Sequence, residues 1–157
     1  MRLEYFEMVD RIAALDLGAR TIRSEGRLPD TSPIFEGHFP GYPIMPGVLM
    51  IETMAQTAGW LVMALHGFRR MCFLAAVKEA KMRSFLAPGQ EIATEAELVH
   101  DGSGYAMCAA RIFAEGKSVT QSQLTFKILD FPNEALREAM RATARRVSVP
   151  EALLADA

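Results

Sequence analysis

The residue types best suited to chemistry crowd into one run, GHFPGYPIMPGVLMIETMAQ, at residues 37–56. His38 stands among prolines and glycines, and Glu52 follows it inside an apolar stretch. A histidine exchanges a proton near neutral pH. A carboxylate among apolar neighbours is costly unless it is paired or put to use. Together the two would supply a base and an acid in a dry pocket. A plainer reading also fits at this level, with Glu52 capping loop amides and His38 serving as a structural loop residue.

Two neighbours sharpen the chemical reading. Gly47 precedes Glu52 by about one and a half helical turns, and its amide belongs to a first turn, where backbone N–H groups lack helical partners. Such a group polarises a carbonyl oxygen. Gln56 stands at i+4 from Glu52, on the same helix face, where it can orient the carboxylate or simply satisfy the helix surface. Pro40, Gly41, Pro43, Pro46 and Gly47 stiffen the path between His38 and the helix, and positioned catalysis needs stiff geometry. The set suits elimination beside an activated carbonyl. His38 would take the proton at C2, Glu52 would donate one to the hydroxyl leaving C3, and the Gly47 amide would hold the enolate-like oxygen of a thioester. Physical chemistry alone leaves thioester hydrolysis open, with Glu52 activating water.

The elements that must position these residues follow from pattern. Residues 3–8 read as a short helix or extended arm, and residues 9–17 and 21–28 as two strands. The Pro- and Gly-rich residues 29–45 predict a long loop without regular structure. Pro46-Gly47 opens a helix over residues 48–65, apolar on most faces and therefore buried, with Gly67 as its terminator. Strands are expected at 73–81, 91–99, 105–114 and 118–129, with reversals at Asp101-Gly102-Ser103-Gly104 and Gly116-Lys117. A last helix covers residues 134–146, followed by a looser tail. The fold class is α+β: a curved antiparallel sheet wrapped around a long central helix, with another subunit contributing burial.

At 157 residues, half of them apolar and 23% charged, the chain suits one globular domain. A formal charge of −2 gives no basic excess to suggest a nucleic-acid partner. Cys72 and Cys108 are expected as reduced, buried thiols. Glu4, Glu7 and Asp10 interrupt the start where a signal peptide needs a clean apolar run, so the expected location is the cytoplasm. Glu52 and Gln56 argue against membrane insertion of the apolar helix. The histidines at 38, 66 and 100 do not form a metal spacing, and no cofactor fingerprint appears.

The central run closely resembles the motif of FabZ-type 3-hydroxyacyl-[acyl-carrier-protein] dehydratases, and FEMVDRI at 6–12 and KMRSFLAPGQEI at 81–92 resemble flanking family segments. The resemblance implies a hot dog fold spanning residues 1–157 as a single dehydratase domain, with a C-terminal helical extension at 134–157. It implies dehydration of 3-hydroxyacyl-[acyl-carrier-protein] to the trans-2-enoyl form, in fatty acid or related lipid biosynthesis. His38 and Glu52 match the catalytic pair, Gly47 the amide donor to the thioester carbonyl, and Gln56 the support for the acid. It further implies a homodimer in which His38 of one subunit faces Glu52 of the other, with a trimer of dimers within the family's range. No cofactor is implied beyond the phosphopantetheine carried by the substrate. A hot dog acyl thioesterase and a non-catalytic hot dog partner subunit remain the alternatives.

Other residues carry weaker expectations. Phe39, Tyr42, Met45, Met50, Met54 and Trp60 are candidate linings of an acyl-chain tunnel, since methionine adapts to such a surface, though each suits plain core packing as well. Arg69, Arg70, Lys78, Lys81 and Arg83 are candidates for docking an acidic carrier protein, with a solvated basic rim as the bland reading. His66 is expected to interact with the helix C-terminus, and His100 to lie in a surface turn.

Overall fold

The computed structural model describes residues 1–154. Six strands form one antiparallel sheet: β1 (Arg11–Asp16), β2 (Thr21–Arg27), β3 (Arg70–Met82), β4 (Glu91–Gly102), β5 (Tyr105–Ala114) and β6 (Lys117–Asp130), in the spatial order β1-β2-β4-β5-β6-β3. Among the described residues three α-helices accompany them, α1 (Pro33–Gly37), α2 (Gly47–Leu65) and α3 (Glu134–Arg146), together with short 3-10 turns at Leu3–Tyr5 and Glu151–Leu153. This is the expected α+β hot dog arrangement, a long central helix packed on a six-stranded antiparallel sheet. The last residues of the expected C-terminal extension, 155–157, lie outside the described residues.

The strands owe their pairing to period-two burial and tight turns. On β5, Ala106, Cys108, Ala110 and Ile112 point inward, as alternation requires of a half-buried strand. The β4–β5 reversal uses Ser103 and Gly104, and the β5–β6 reversal uses Glu115 and Gly116, both with positive φ at each central residue. That conformation matches the right-handed twist of a hairpin. The turn is tighter than expected at 101–104, because β4 runs on through Gly102 after a register shift between Leu98 and His100. His100 is therefore a strand residue opposite Met107, not a turn residue.

Helix α2 packs against β2, β3, β4, β5 and β6. Leu49, Met50, Met54, Leu61 and Val62 are buried toward the core. The helix is long and apolar enough to cross a membrane by length and composition alone, but 72% of its apolar window is buried inside the fold. Its polar core residues are satisfied: Thr53 and Thr57 donate to the carbonyls of Leu49 and Thr53, and Thr57 also shares a 2.7 Å hydroxyl contact with Ser24 of β2. Such internal partners offset the cost of burying hydroxyls. The helix ends at His66, and Gly67 turns the chain with φ +59°. His66 Nε2 lies 3.1 Å from Asp101 Oδ2, close enough for an ion pair but off the angle of a hydrogen bond.

The expected unstructured loop at 29–45 holds a short helix instead. Ser32 caps α1 by accepting from the Ile34 amide, and Pro33 occupies its first turn. Proline there gives up no helical hydrogen bond. Density of Pro and Gly did not prevent a single turn because the helix-breaking residues fall at its ends.

Candidate active site

Glu52 lies on the one face of α2 that the sheet leaves partly open, with Val48, Ile51 and Gln56. Gln56 Nε2 donates to Glu52 Oε1 at 2.8 Å and to the Phe6 carbonyl at 2.6 Å, and its Oε1 accepts the Met8 amide at 3.1 Å. The glutamine is thus fixed by backbone on both sides of its amide and presents an N–H to the carboxylate. Oriented support of this kind holds a reacting group in place without a charge of its own.

A cavity of about 510 Å³ opens beside Glu52. Its walls come from α2 (Glu52, Ala55, Gln56, Gly59, Trp60, Met63), from the N-terminal residues Tyr5, Phe6 and Glu7, from β3, and from α3. Its size falls in the range of small-molecule sites, and its mix of apolar walls with a few polar groups is typical of them. Cys72 on its β3 wall is only partly covered, yet its Sγ turns onto the Gly59 carbonyl at 3.6 Å. Burial pushes the Cys72 and Cys108 thiols up to about 12, so both stay protonated at neutral pH and behave as small apolar groups. Two further grooves, one larger and one smaller than this cavity, are lined by opposed charges such as Arg23 and Glu95 and stand away from this chemistry.

His38 caps the C-terminus of α1 and is half-buried. Its Nδ1 lies 2.9 Å from the Ile44 carbonyl, which leaves Nε2 as the nitrogen available for proton exchange. Its ring stacks on Phe39 at 4.1 Å between centroids, and the His38–Phe39 peptide is cis. His38 is not among the residues lining the Glu52 cavity of its own chain. Gly47 opens α2, and the first intrahelical bonds run from Leu49 N and Met50 N to Pro46 O. The Gly47 amide therefore stands free of the helix ladder at its positive end. At about 100° per residue, Gly47 and Glu52 lie roughly 140° apart around the helix. The two positions therefore face different sides of α2.

The remaining sequence candidates scatter. Met45, Met50 and Met54 are buried in the core against the sheet, while Phe39 and Tyr42 are exposed on the loop. Of the six tunnel candidates, Trp60 is the one lining the Glu52 cavity. Arg70 begins β3 and Lys81 stands near its end, roughly 35 Å apart at the rise of an extended strand, with Arg69 and Arg83 just outside the strand at either end. Arg70 pairs with Asp130 at 3.1 Å, and Arg83 donates to Gln121 at 3.1 Å. Within one chain the five cations do not form a single patch. Sequence reasoning missed the cavity contributions of Phe6, Glu7 and α3. The signal for Phe6 and Glu7 was present in the segment at 6–12, but nothing local says that an N-terminal backbone would hold Gln56.

Comparison with known proteins places these features. A family model described as FabA-like domain matches residues 2–123. The 3-hydroxyacyl-[acyl-carrier-protein] dehydratase FabZ of Chlamydia pneumoniae is 35% identical over 130 residues, covering 80% of this chain and 84% of that protein. FabZ of Thermus thermophilus is 37% identical over 123 residues, covering 77% and 85%. Among solved structures, a conserved protein from Pseudomonas aeruginosa superposes with a TM-score of 0.63 at 25% identity, over 80% of this chain and 93% of that one. A thioesterase-like protein from Ralstonia eutropha superposes at 0.61 and 18% identity, over 74% and 82%, a likeness of fold alone. With a family match over most of its length and relatives above 30% identity along both chains, this chain belongs to the FabA/FabZ-type hot dog dehydratase family.

Proposed function

We propose that the protein dehydrates 3-hydroxyacyl thioesters carried on an acyl carrier protein, in fatty acid or related lipid biosynthesis in the cytoplasm. The observation that carries this reading is the Glu52 carboxylate, gripped by Gln56 at the wall of a largely apolar cavity. The relatives that match over most of the chain bear the name of that activity. His38 removes the C2 proton through Nε2. The electron pair moves toward the thioester carbonyl, whose oxygen is held by the Gly47 amide and the positive end of α2. Glu52, protonated, gives its proton to the C3 hydroxyl, which leaves as water. The product is the trans-2-enoyl thioester, and no bond to the carrier breaks.

Two subunits build each site. The angular separation of Gly47 from Glu52 and the absence of His38 from the cavity lining fit a thioester held between His38 and Gly47 of one chain and Glu52 of another. Strand β3 supplies the means. It is a 13-residue edge strand bearing the exposed apolar residues Phe73, Leu74, Val77 and Met82, a surface that a soluble chain covers. The opposite edge, β1, is short, and its Ile12 amide is already paired with the Val147 carbonyl. Antiparallel pairing of two β3 strands makes one continuous sheet, curved around both central helices. It also brings Arg69 and Arg70 of one protomer toward Lys81 and Arg83 of the other, which rejoins the cations, with Lys78 between them, into a surface for an acidic carrier. Residues 1–157 act as one catalytic domain, with the segment from 134 as an extension.

Turnover of the purified protein with 3-hydroxyacyl carrier proteins, resolved by mass, tests the reaction. The expected outcome is loss of 18 mass units with the acyl group still on the carrier. Release of free acid and thiol would mark a thioesterase and overturn the proposal.

A further inference from the structure

Helix α3 begins after residue 123, where the family match ends. Yet Met140, Thr143 and Arg146, spaced at i, i+3 and i+6 on one side of it, line the same cavity as Glu52. From the structure we infer that α3 forms the outer wall of the acyl-chain channel and that Met140 and Thr143 set how long a chain the enzyme accepts. This inference rests on the dehydratase reading for its substrate class.

The geometry supports a wall rather than a loosely attached tail. Asn133 caps α3 by accepting from the Leu136 amide at 2.8 Å, and Arg145 and Arg146 occupy its last turn, the favourable end for cations. Ala144, Val147, Val149 and Leu154 are buried, so the helix and the residues after it are docked on the core. The Val147 carbonyl accepts the Ile12 amide at 2.7 Å, which ties the end of α3 to β1. Arg146 Nη1 donates to Glu7 Oε1 at 2.9 Å. Glu7 lies between Phe6 and Met8, whose backbone groups hold Gln56, and Gln56 holds Glu52. The extension is therefore connected to the acid of the site through one short segment of chain.

The cavity follows α2 from Glu52 to Met63, roughly 16 Å along the axis. Trp60 and Met63 on α2 line its far part, and Met140 on α3 lies toward that part, one turn from Arg137, whose Nε donates to the Phe68 carbonyl beyond the end of α2. Such a pocket has the shape for an extended alkyl chain whose reacting end stands at Glu52. Methionines on both sides give a wall that adapts to chains of differing length. Every methylene the wall admits gains about three- to fourfold in affinity, and every one it blocks forfeits that gain. Side-chain size at Met140 then acts on long chains and not on short ones.

The test uses the full chain and two variants of opposite effect, Met140→Phe and Met140→Ala, with Thr143→Leu as a second narrowing variant. Met140 and Thr143 are only partly buried, so these changes stay compatible with folding. In a chain-length series, Met140→Phe and Thr143→Leu should lower the ratio of long-chain to short-chain kcat/KM at least about tenfold, and Met140→Ala should raise it. Binding is read separately from turnover, because Trp60 is the chain's single tryptophan and stands in the cavity. Titration with acyl-pantetheines of graded length should perturb its fluorescence, with a length dependence that Met140→Phe displaces toward shorter chains. Length ratios unchanged in all three variants would overturn the inference, as would a loss equal at every length. A Trp60 signal indifferent to every acyl-pantetheine, as when a second copy of the chain fills the cavity, would also overturn it. Failure of wild-type turnover with a displaced Trp60 length dependence would sink the dehydratase reading and leave the wall intact.

Discussion

Glu52→Gln lowers dehydration by about 10²–10⁴-fold, the usual contribution of a positioned acid or base, and His38→Ala does the same. Glutamine keeps the size of Glu52 and can still meet Gln56 across the 2.8 Å contact. It has no proton to give the leaving hydroxyl, so the loss falls on kcat. Glu52 is only half-buried on the open face of α2, and no buried ion pair is broken by the change. His38→Ala removes the Nε2 base together with the Nδ1 contact to Ile44 and the stack on Phe39. His38→Gln, which retains a donor for the Ile44 carbonyl, separates the two effects: activity stays low if proton transfer is the role of the residue. Steady-state kinetics on a 3-hydroxyacyl carrier protein measure both. Near-normal kcat in a folded, dimeric Glu52→Gln enzyme removes Glu52 from the mechanism.

Val77→Asp converts the dimer to monomer and takes activity with it. Val77 is an exposed apolar residue near the middle of β3, where the proposed antiparallel pairing of two β3 strands would put its twofold axis. An aspartate there faces its own copy across the seam. Like charges in such a contact cost several kcal/mol, so the dimer weakens by about 10²–10³-fold or more. The isolated protomer keeps its own core, since Val77 contributes little to it, and far-ultraviolet circular dichroism should be unchanged. Val77→Thr, also β-branched and uncharged, should remain a dimer. Sedimentation together with activity reads the result. A monomeric Val77→Asp protein with full activity contradicts the shared site, and a fully dimeric one places the interface elsewhere.

Much of this architecture was legible because the strongest local signals fall at element ends. Pro46 and Gly67 bracket α2, and Asn133 caps α3 where the helical pattern starts. Glycines with positive φ close two of the hairpins. The run at 37–56 displayed the candidate chemistry because each residue in it has a distinct physical role. Facing directions were less legible. Met50 and Met54 look on the page like Trp60 and Met63, but only the placement of the sheet decides that the first two enter the core and the others border the cavity. The five cations at 69–83 read as a cluster, yet an extended strand separates its ends, whereas a helix would have gathered them. Ser32-Pro33 carried a cap signal for α1 that the surrounding prolines and glycines obscured. The place of α3 was illegible for another reason, because the packing that brings Met140 into the lining of the same cavity as Glu52 is tertiary and leaves no local pattern.

The central claim is that each active site takes His38 from one subunit and Glu52 from the other, and mixing two inert variants tests it most directly. His38→Ala and Glu52→Gln proteins are each assayed alone, then allowed to exchange subunits in equal amounts. Half of the dimers become mixed, and in each mixed dimer one site carries both lesions while the other carries none. The account predicts recovery to about a quarter of wild-type turnover from two preparations that are nearly inactive alone. Mixed dimers that form and stay inactive would place both residues of a site on one chain and contradict it.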